Sequence, residues 1–459
     1  MTTNNKKLWW IWLFGTIVLV GYFTNKLLTS DEDKKVFLPG NTTHGHYQIE
    51  MNCSACHSDS FSSDEEIQKS CMNCHAEELK IADDSHPKSK FTDPRNASRV
   101  AKLDARLCVT CHTEHKPEIT GDMGLTVPVD VCVVCHADIE EDRPSHKGMG
   151  FETCASAGCH NFHDNTALYE DFLLKHANES NLLKTITTRK TDIHSRIKYA
   201  RNYPVKKYPN QRLASSDKDS PSTVNVDPKI VEQWSTTAHS SAGVNCTACH
   251  NVENAQGVVQ WQDKPGFTSC SNCHDSEFKG FSEGKHGMRI AQNITPMKPG
   301  LSRSEMKSTS HDKQLTCNSC HRSHNFDVVY AATESCLQCH NDKHSLAYKN
   351  SSHFKYWNKE TIAGGESIKG VSCATCHMPK IEKKFIDGEK HFVVQHNQND
   401  NLRPNEKMIR SVCMNCHGLE FSINALADQD LIDNNFQGQP KVHIKSIDMA
   451  VERVEKKSK

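Results

Sequence analysis

The longest run of apolar positions lies near the start of the chain, and the clearest amphipathic period lies near its end. Behind Lys6 and Lys7, an apolar stretch runs from Leu8 to Phe23, interrupted by Gly15, Thr16 and Gly21. Its 16 residues lie near the lower limit of a membrane span, and Thr24 to Leu28 can extend it. A cleaved signal peptide usually has a shorter apolar core and ends at a small-residue cleavage site. No Ala-x-Ala follows here, and no cysteine offers a lipid anchor. Residues 1–30 are therefore read as a retained signal anchor with the two lysines on the cytoplasmic side. In the tail, Ile444, Ile447, Val451 and Val454 recur at helical spacing, which predicts a terminal amphipathic helix packed on the body of the protein.

Between these ends the pattern is mostly polar. Apolar residues make up 36% of the chain and the mean hydropathy is −0.66, low for a globular chain of 459 residues. Regular strands are scarce, and short helices separated by irregular chain are expected. The class is mainly α with much irregular chain. So little apolar material calls for another source of core.

The cysteines supply one. All 22 fall into motifs of the form Cys-spacer-Cys-His. Ten have a two-residue spacer: Cys53, Cys56 and His57; Cys71, Cys74 and His75; Cys108, Cys111 and His112; Cys132, Cys135 and His136; Cys246, Cys249 and His250; Cys270, Cys273 and His274; Cys317, Cys320 and His321; Cys336, Cys339 and His340; Cys373, Cys376 and His377; Cys413, Cys416 and His417. The eleventh, Cys154, Cys159 and His160, has a four-residue spacer. Cys-x-x-Cys-His is the attachment signature of c-type haem. Two thiols add across the porphyrin vinyl groups, and the adjacent histidine lies under the ring and coordinates iron. Zinc ribbons and redox Cys-x-x-Cys motifs need no histidine after each pair. A disulfide framework has no use for one either. Eleven covalent c-type haems follow, and their rings are expected to fill the core. Attachment outside the cytoplasm agrees with the anchor, placing the protein in the cytoplasmic membrane as a single-pass chain with its bulk in the periplasm.

Lys and Arg number 55 and Asp and Glu 56, a formal charge of −1. With its two propionates ionised, a ferric bis-histidine haem adds about −1, so eleven bring the total to about −12. The holoprotein is acidic, and nothing in the pattern points to nucleic acid.

The motifs divide the chain into an anchor (1–30), a five-haem module (31–177), a linker (178–232), a six-haem module (233–425) and a helical tail (426–459). The linker contains a stretch rich in Pro, Ser, Lys and Asp over residues 201–228. Gaps between motifs vary widely, and no period beyond the motif itself is visible.

Eleven of the 28 histidines are proximal ligands, and 17 remain to fill the opposite faces. The first module offers His44, His46, His86, His115, His146, His163, His176 and His194. The second module and tail offer His239, His286, His311, His324, His344, His353, His391, His396 and His443. The distal candidates selected are His46, His86, His115, His146, His163, His239, His286, His311, His324, His353 and His391. His115, His163 and His324 each stand three residues after a proximal histidine, too close to cross to the far face of the same ring but able to reach another haem. His344, four after His340, is a looser version. Bis-histidine ligation favours low potentials.

The first module resembles the small bis-histidine multihaem cytochromes. Segments of the second module, including WSTTAHSSAGVNCTACH (234–250), CLQCHNDKHSLAYKNSSHF (336–354) and GVSCATCHMPK (370–380), resemble the hydroxylamine oxidoreductase and octahaem reductase superfamily. That resemblance implies a haem scaffold and admits an enzyme acting on a nitrogen or sulfur compound, such as hydroxylamine, nitrite or tetrathionate, at one five-coordinate haem of the second module. Against this, the Cys-x-x-Cys-Lys attachment of the family's nitrite reductases is absent. The other reading is an electron carrier between a quinol-oxidising membrane donor and a periplasmic or outer-membrane cytochrome acceptor, with a homo-oligomer possible. The intact mass of the holoprotein is expected to exceed that of its polypeptide by eleven haems. Free thiols after denaturation, or a mass fitting ten, would remove Cys154 and Cys159 from the set.

Overall fold

The computed structural model describes residues 3–29, 33–58, 62–82, 86, 88–121, 124–128, 130–143, 146–148, 162–163, 168–189, 206, 211–362, 370–384, 390–402 and 407–458. The motif Cys154–Cys159–His160, His194 and most of residues 190–210 lie outside them. The chain is mainly helical, in short pieces joined by irregular segments. The longest helix among the described residues, Thr3–Leu28, contains the apolar run; its span Lys6–Leu28 is long and apolar enough to cross a membrane and is almost wholly exposed, with the Phe23 ring 5.7 Å from Phe37. A signal sequence has the same properties.

By its internal contacts the chain divides into two compact units, one of residues 1–76 with 87–134 and the other of residues 77–86 with 135–459. Most motifs in both form a single turn. In Cys108–His112 the His112 amide donates to Cys108 O at 2.8 Å, and the same bond recurs from His57 to Cys53 and from His321 to Cys317. One helical turn brings residues i, i+3 and i+4 to one side, which the two thioethers and the iron ligand require. Asn245 caps the turn at Cys246, Ser372 caps the one at Cys373, and Gln68 accepts the Cys108 amide.

Two small antiparallel hairpins occur among the described residues of the second unit. β1 (Asn251–Glu253) pairs with β2 (Val259–Trp261), and β3 (Lys380–Lys384) pairs with β4 (Lys390–Val394). The first begins directly after His250, and the second three residues after His377. Near the end of the second unit lies an apolar cluster of Leu168, Leu173, Ile409, Leu419, Ile423, Ile447 and Ala450. The tail forms the predicted helix, Ser446–Ser458, and buries Ile447 and Ala450 against Glu170–His176. Val454 stays exposed at 43%. Helix Glu170–His176, placed by the sequence in the five-haem module, is thus part of the second unit's core.

The expected linker is not a free connection over its described parts. Leu183 N donates to Cys416 O at 2.8 Å and Thr187 N to Asn415 O at 2.9 Å. Further along, Asn245 Nδ2 donates to Asp217 O, and the Thr247 amide donates to Asp219 at 2.9 Å. Composition marked this stretch as polar, and its polar groups are spent on capping haem motifs. Ile447→Ala is expected to cost the second unit about 2–5 kcal/mol, and Val454→Ala less than about 0.5 kcal/mol. Chemical denaturation followed by circular dichroism checks both.

Candidate haem sites

Each proximal histidine must leave Nε2 free for iron, so its Nδ1–H needs an acceptor. His112 Nδ1 lies 3.0 Å from Gly124 O, His250 Nδ1 2.7 Å from Gln262 O and His417 Nδ1 2.7 Å from Asn181 O. Gln262 follows β2, so the first hairpin supplies the acceptor for His250; it also stacks Trp261 on that ring at 4.5 Å. Asn181 belongs to the stretch expected to be a linker.

Two metal–imidazole bonds of about 2 Å each place opposed ring centres roughly 6 Å apart. Nine pairs of histidine rings among the described residues stand 5.8 to 6.5 Å apart, each joining one motif histidine to one outside the motifs. In the first unit these are His57 with His115 and His75 with His46. In the second they are His136 with His86, His250 with His324, His274 with His239, His321 with His396, His340 with His286, His377 with His344 and His417 with His353. The gap in each pair fits one iron with two imidazole ligands. All six motif histidines of the module at 233–425 are faced in this way. Burial pushes His286, His353 and His377 down to about 4, so the rings are neutral near pH 7, as metal ligands must be.

Second partners hold several of the facing rings. His115 Nδ1 lies 2.8 Å from Gly40 O, His86 Nδ1 2.8 Å from Phe162 O, His396 Nδ1 3.0 Å from Val394 O and His344 Nδ1 2.5 Å from Ile432 O. Gly40 has no room for a side chain, since a Cβ there would meet His115 O at 2.5 Å. His46 differs, with its Nδ1 2.6 Å from a carboxylate oxygen of Glu114. Thr43 donates to the same carboxylate through its amide at 2.7 Å and its hydroxyl at 2.8 Å. Burial pushes the Glu114 carboxyl up, but the bonds from His46 and Thr43 outweigh it and hold the group at about 2.

His115 and His324 both adopt left-handed backbone, with φ of 63° and 66°. Such a conformation is uncommon away from glycine and costs of order 1–3 kcal/mol. In Cys-His-x-x-His it swings the last histidine away from its own motif, and each faces the proximal histidine two motifs earlier. Both pairs are close to parallel, at 21° for His57 with His115 and 6° for His250 with His324. Others approach a right angle, such as 86° for His86 with His136 and 84° for His344 with His377.

Of the distal candidates, His46, His86, His115, His239, His286, His324 and His353 stand in these pairs. His311 does not; its Nε2 lies 3.4 Å from Met306 O. His391 sits in β4 opposite Lys383 and is in none of the nine. His146 follows the turn after Arg143, and the His163 ring lies 5.0 Å from Phe162. Neither belongs to a described pair. His344 and His396, left off the candidate set, stand in two. His344 lies on helix Lys343–Ala347, four residues after His340, the looser spacing sign noted in the sequence, whereas His396 stands two residues beyond β4, where spacing alone does not reveal it.

Neighbouring cysteines show how the motifs adjoin. The side chain of Cys71 adjoins that of Cys108, Cys270 adjoins Cys317 and Cys336 adjoins Cys373. Burial raises the thiols of Cys56, Cys249, Cys320 and Cys376, and Cys74, Cys273, Cys336 and Cys416 respectively raise them further by repulsion. In the second unit these contacts connect the six motifs from Cys246 to Cys416 without a break, in chain order.

The pairing also repeats. His46 stands seven residues before Cys53 and faces the next motif's His75; His239 stands seven before Cys246 and faces His274. His86 and His286 follow those proximal rings by eleven and twelve residues and face His136 and His340. His115 and His324 complete the match. The period escaped the sequence reading because the loops between motifs differ in length while the pairing does not.

A family model described as cytochrome c3 matches the chain twice, over residues 45–137 and 238–333, together less than half its length. No curated protein matches the chain. Both matches fall on the two sets of repeated pairs. The chain is a multihaem c-type cytochrome with covalently bound haem c. The second match lies in the module that resembles the hydroxylamine oxidoreductases, and that resemblance has no counterpart in the comparisons. His324→Ala and His396→Ala are each expected to turn one haem high-spin without detaching it, while His311→Ala leaves the ferric spectrum low-spin. Visible and electron paramagnetic resonance spectra distinguish these outcomes.

Proposed function

We propose that this multihaem c-type cytochrome is a membrane-anchored electron-transfer protein with eleven haems, working between a quinol-linked donor in the cytoplasmic membrane and periplasmic or outer acceptors. The observation that carries this reading is the second module, where every motif histidine is faced by a second histidine and the attachment cysteines adjoin in unbroken sequence. When bound, each haem supplies an iron that takes up and releases one electron. In each of the nine described pairs the chain's own two histidines would hold the iron. Catalysis on a small nitrogen or sulfur compound needs a vacant iron position with acid–base groups beside it. The paired histidines of this module oppose such a vacancy, and so favour the carrier over the enzyme.

Facing imidazoles whose Nδ1 atoms are tied to backbone carbonyls, as in His86, His115, His344 and His396, keep their geometry fixed as charge changes, and little reorganisation follows each electron. The helix Thr3–Leu28 fits a membrane anchor, which would hold the haem-bearing part at the periplasmic surface. Shortened by residues 1–30, the protein is expected to leave the membrane fraction and stay fully reducible by a reduced viologen. Steady-state turnover of nitrite with that dye, or of hydroxylamine with an oxidised one, is expected to be negligible. Sustained turnover abolished by an exogenous iron ligand would overturn the proposal.

A further inference from the structure

The repeated pairs contain an internal comparison. His46 and His239 occupy the same place in the two repeats, and so do their partners His75 and His274. The surroundings of His46 and His239 differ at Nδ1; on the proximal side, His274 Nδ1 has a Glu277 carboxylate oxygen at 3.9 Å, beyond hydrogen-bond distance. The Nδ1 of His46 meets the Glu114 carboxylate at 2.6 Å, and Thr43 fixes that carboxylate from two sides. The position matching Glu114 in the second repeat, between His321 and His324, is Ser323. There the Nδ1 of His239 is buried and has no hydrogen-bond partner among the described residues.

With Nε2 directed to iron, Nδ1 carries the proton. An acceptor bearing a full negative charge draws that proton further than a carbonyl dipole does, and makes the imidazole a stronger donor through Nε2. A stronger donor, with a fixed anion nearby, stabilises ferric iron over ferrous iron, which carries one positive charge fewer. Four other facing histidines meet backbone carbonyls at Nδ1: His86, His115, His344 and His396.

We infer that Glu114 is a redox-tuning residue that sets the haem on Cys71 and Cys74 at a lower potential than its repeat counterpart on Cys270 and Cys273. The inference rests on the reading that His46 and His75 hold one iron. Reduction of that haem takes one electron from an external donor into ferric iron; no bond forms or breaks, and the proton stays on Nδ1 between His46 and Glu114. The two repeats then share a ligand plan but not an energy. The first carries a site reluctant to keep its electron, and the duplicated array acquires a downhill direction.

The test is a spectroelectrochemical titration of the full holoprotein, its E114Q variant and its S323E variant, with haem content and spin state measured in each. Glutamine keeps an oxygen acceptor and removes the charge. In E114Q one reduction step is expected to move to higher potential while all haems stay attached and low-spin. S323E is expected to move a different step to lower potential. Unchanged steps in both variants, with low-spin haems intact, would overturn the tuning role and leave the ligation reading standing. A high-spin haem in E114Q would overturn it in another way, making Glu114 a support for the His46 ring. If the unaltered protein showed no low-spin haem, the underlying reading would fall instead.

Discussion

Pairs of imidazole rings held about 6 Å apart are the constraint on which the rest of this structure depends. Such a gap is useless to a protein core unless something fills it. A spacing of this size fits an iron that accepts one nitrogen from each ring. The chain nonetheless holds nine of these gaps among its described residues, and it spends backbone carbonyls, a hairpin and two left-handed histidines to do so. The low hydrophobic content then makes sense. Most of the chain is a frame around prosthetic groups, and among the described residues a conventional apolar cluster occurs where the tail helix closes on Glu170–His176 and Leu419–Ala427.

Facing across the chain also links the motifs to one another. No described pair joins a motif histidine to a partner that serves its own motif alone. His115 leaves the motif of His112 for His57, and His344 leaves that of His340 for His377. Within each unit, a site therefore fixes the position of another motif. The same arrangement recurs in two stretches that match one family model, which reads most simply as duplication of a ligand plan whose connecting loops have since diverged. Duplication leaves equivalent sites free to differ in their outer contacts, and Glu114 against Ser323 is one such difference.

Much of this was legible in the sequence because thioether attachment demands a rigid local spacing. The motif turns, the apolar N-terminal helix and the amphipathic tail all follow from short-range pattern. The partner histidines were legible only in part. His115 and His324 carried a local sign, the three-residue step after a proximal ligand. His46, His86, His239, His286 and His353 were chosen from a surplus, and that surplus also offered His311 and His391, which stand in none of the described pairs. His396 was passed over because it lies beyond the paired strands β3 and β4 and faces His321, a contact across 75 positions that spacing does not encode. The stretch at 178–232 misled for a related reason. Its Asp, Asn and Ser residues read as solvated linker, yet Asp217, Asp219 and the Asn181 carbonyl serve as acceptors for haem motifs.

The central claim is that opposed histidines saturate the irons, and the electron paramagnetic resonance spectrum of the fully oxidised holoprotein tests it most directly. Paired imidazoles give low-spin ferric iron, and the angle between the two rings shapes the signal. The near-parallel pairs His57–His115 and His250–His324 are expected to give ordinary rhombic low-spin signals, and the near-perpendicular pairs, such as His86–His136 and His344–His377, broad and strongly anisotropic ones. Integration is expected to find both classes, with high-spin iron amounting to no more than the sites outside the nine described pairs. A high-spin signal equivalent to several haems, or a single uniform low-spin class, would contradict the account.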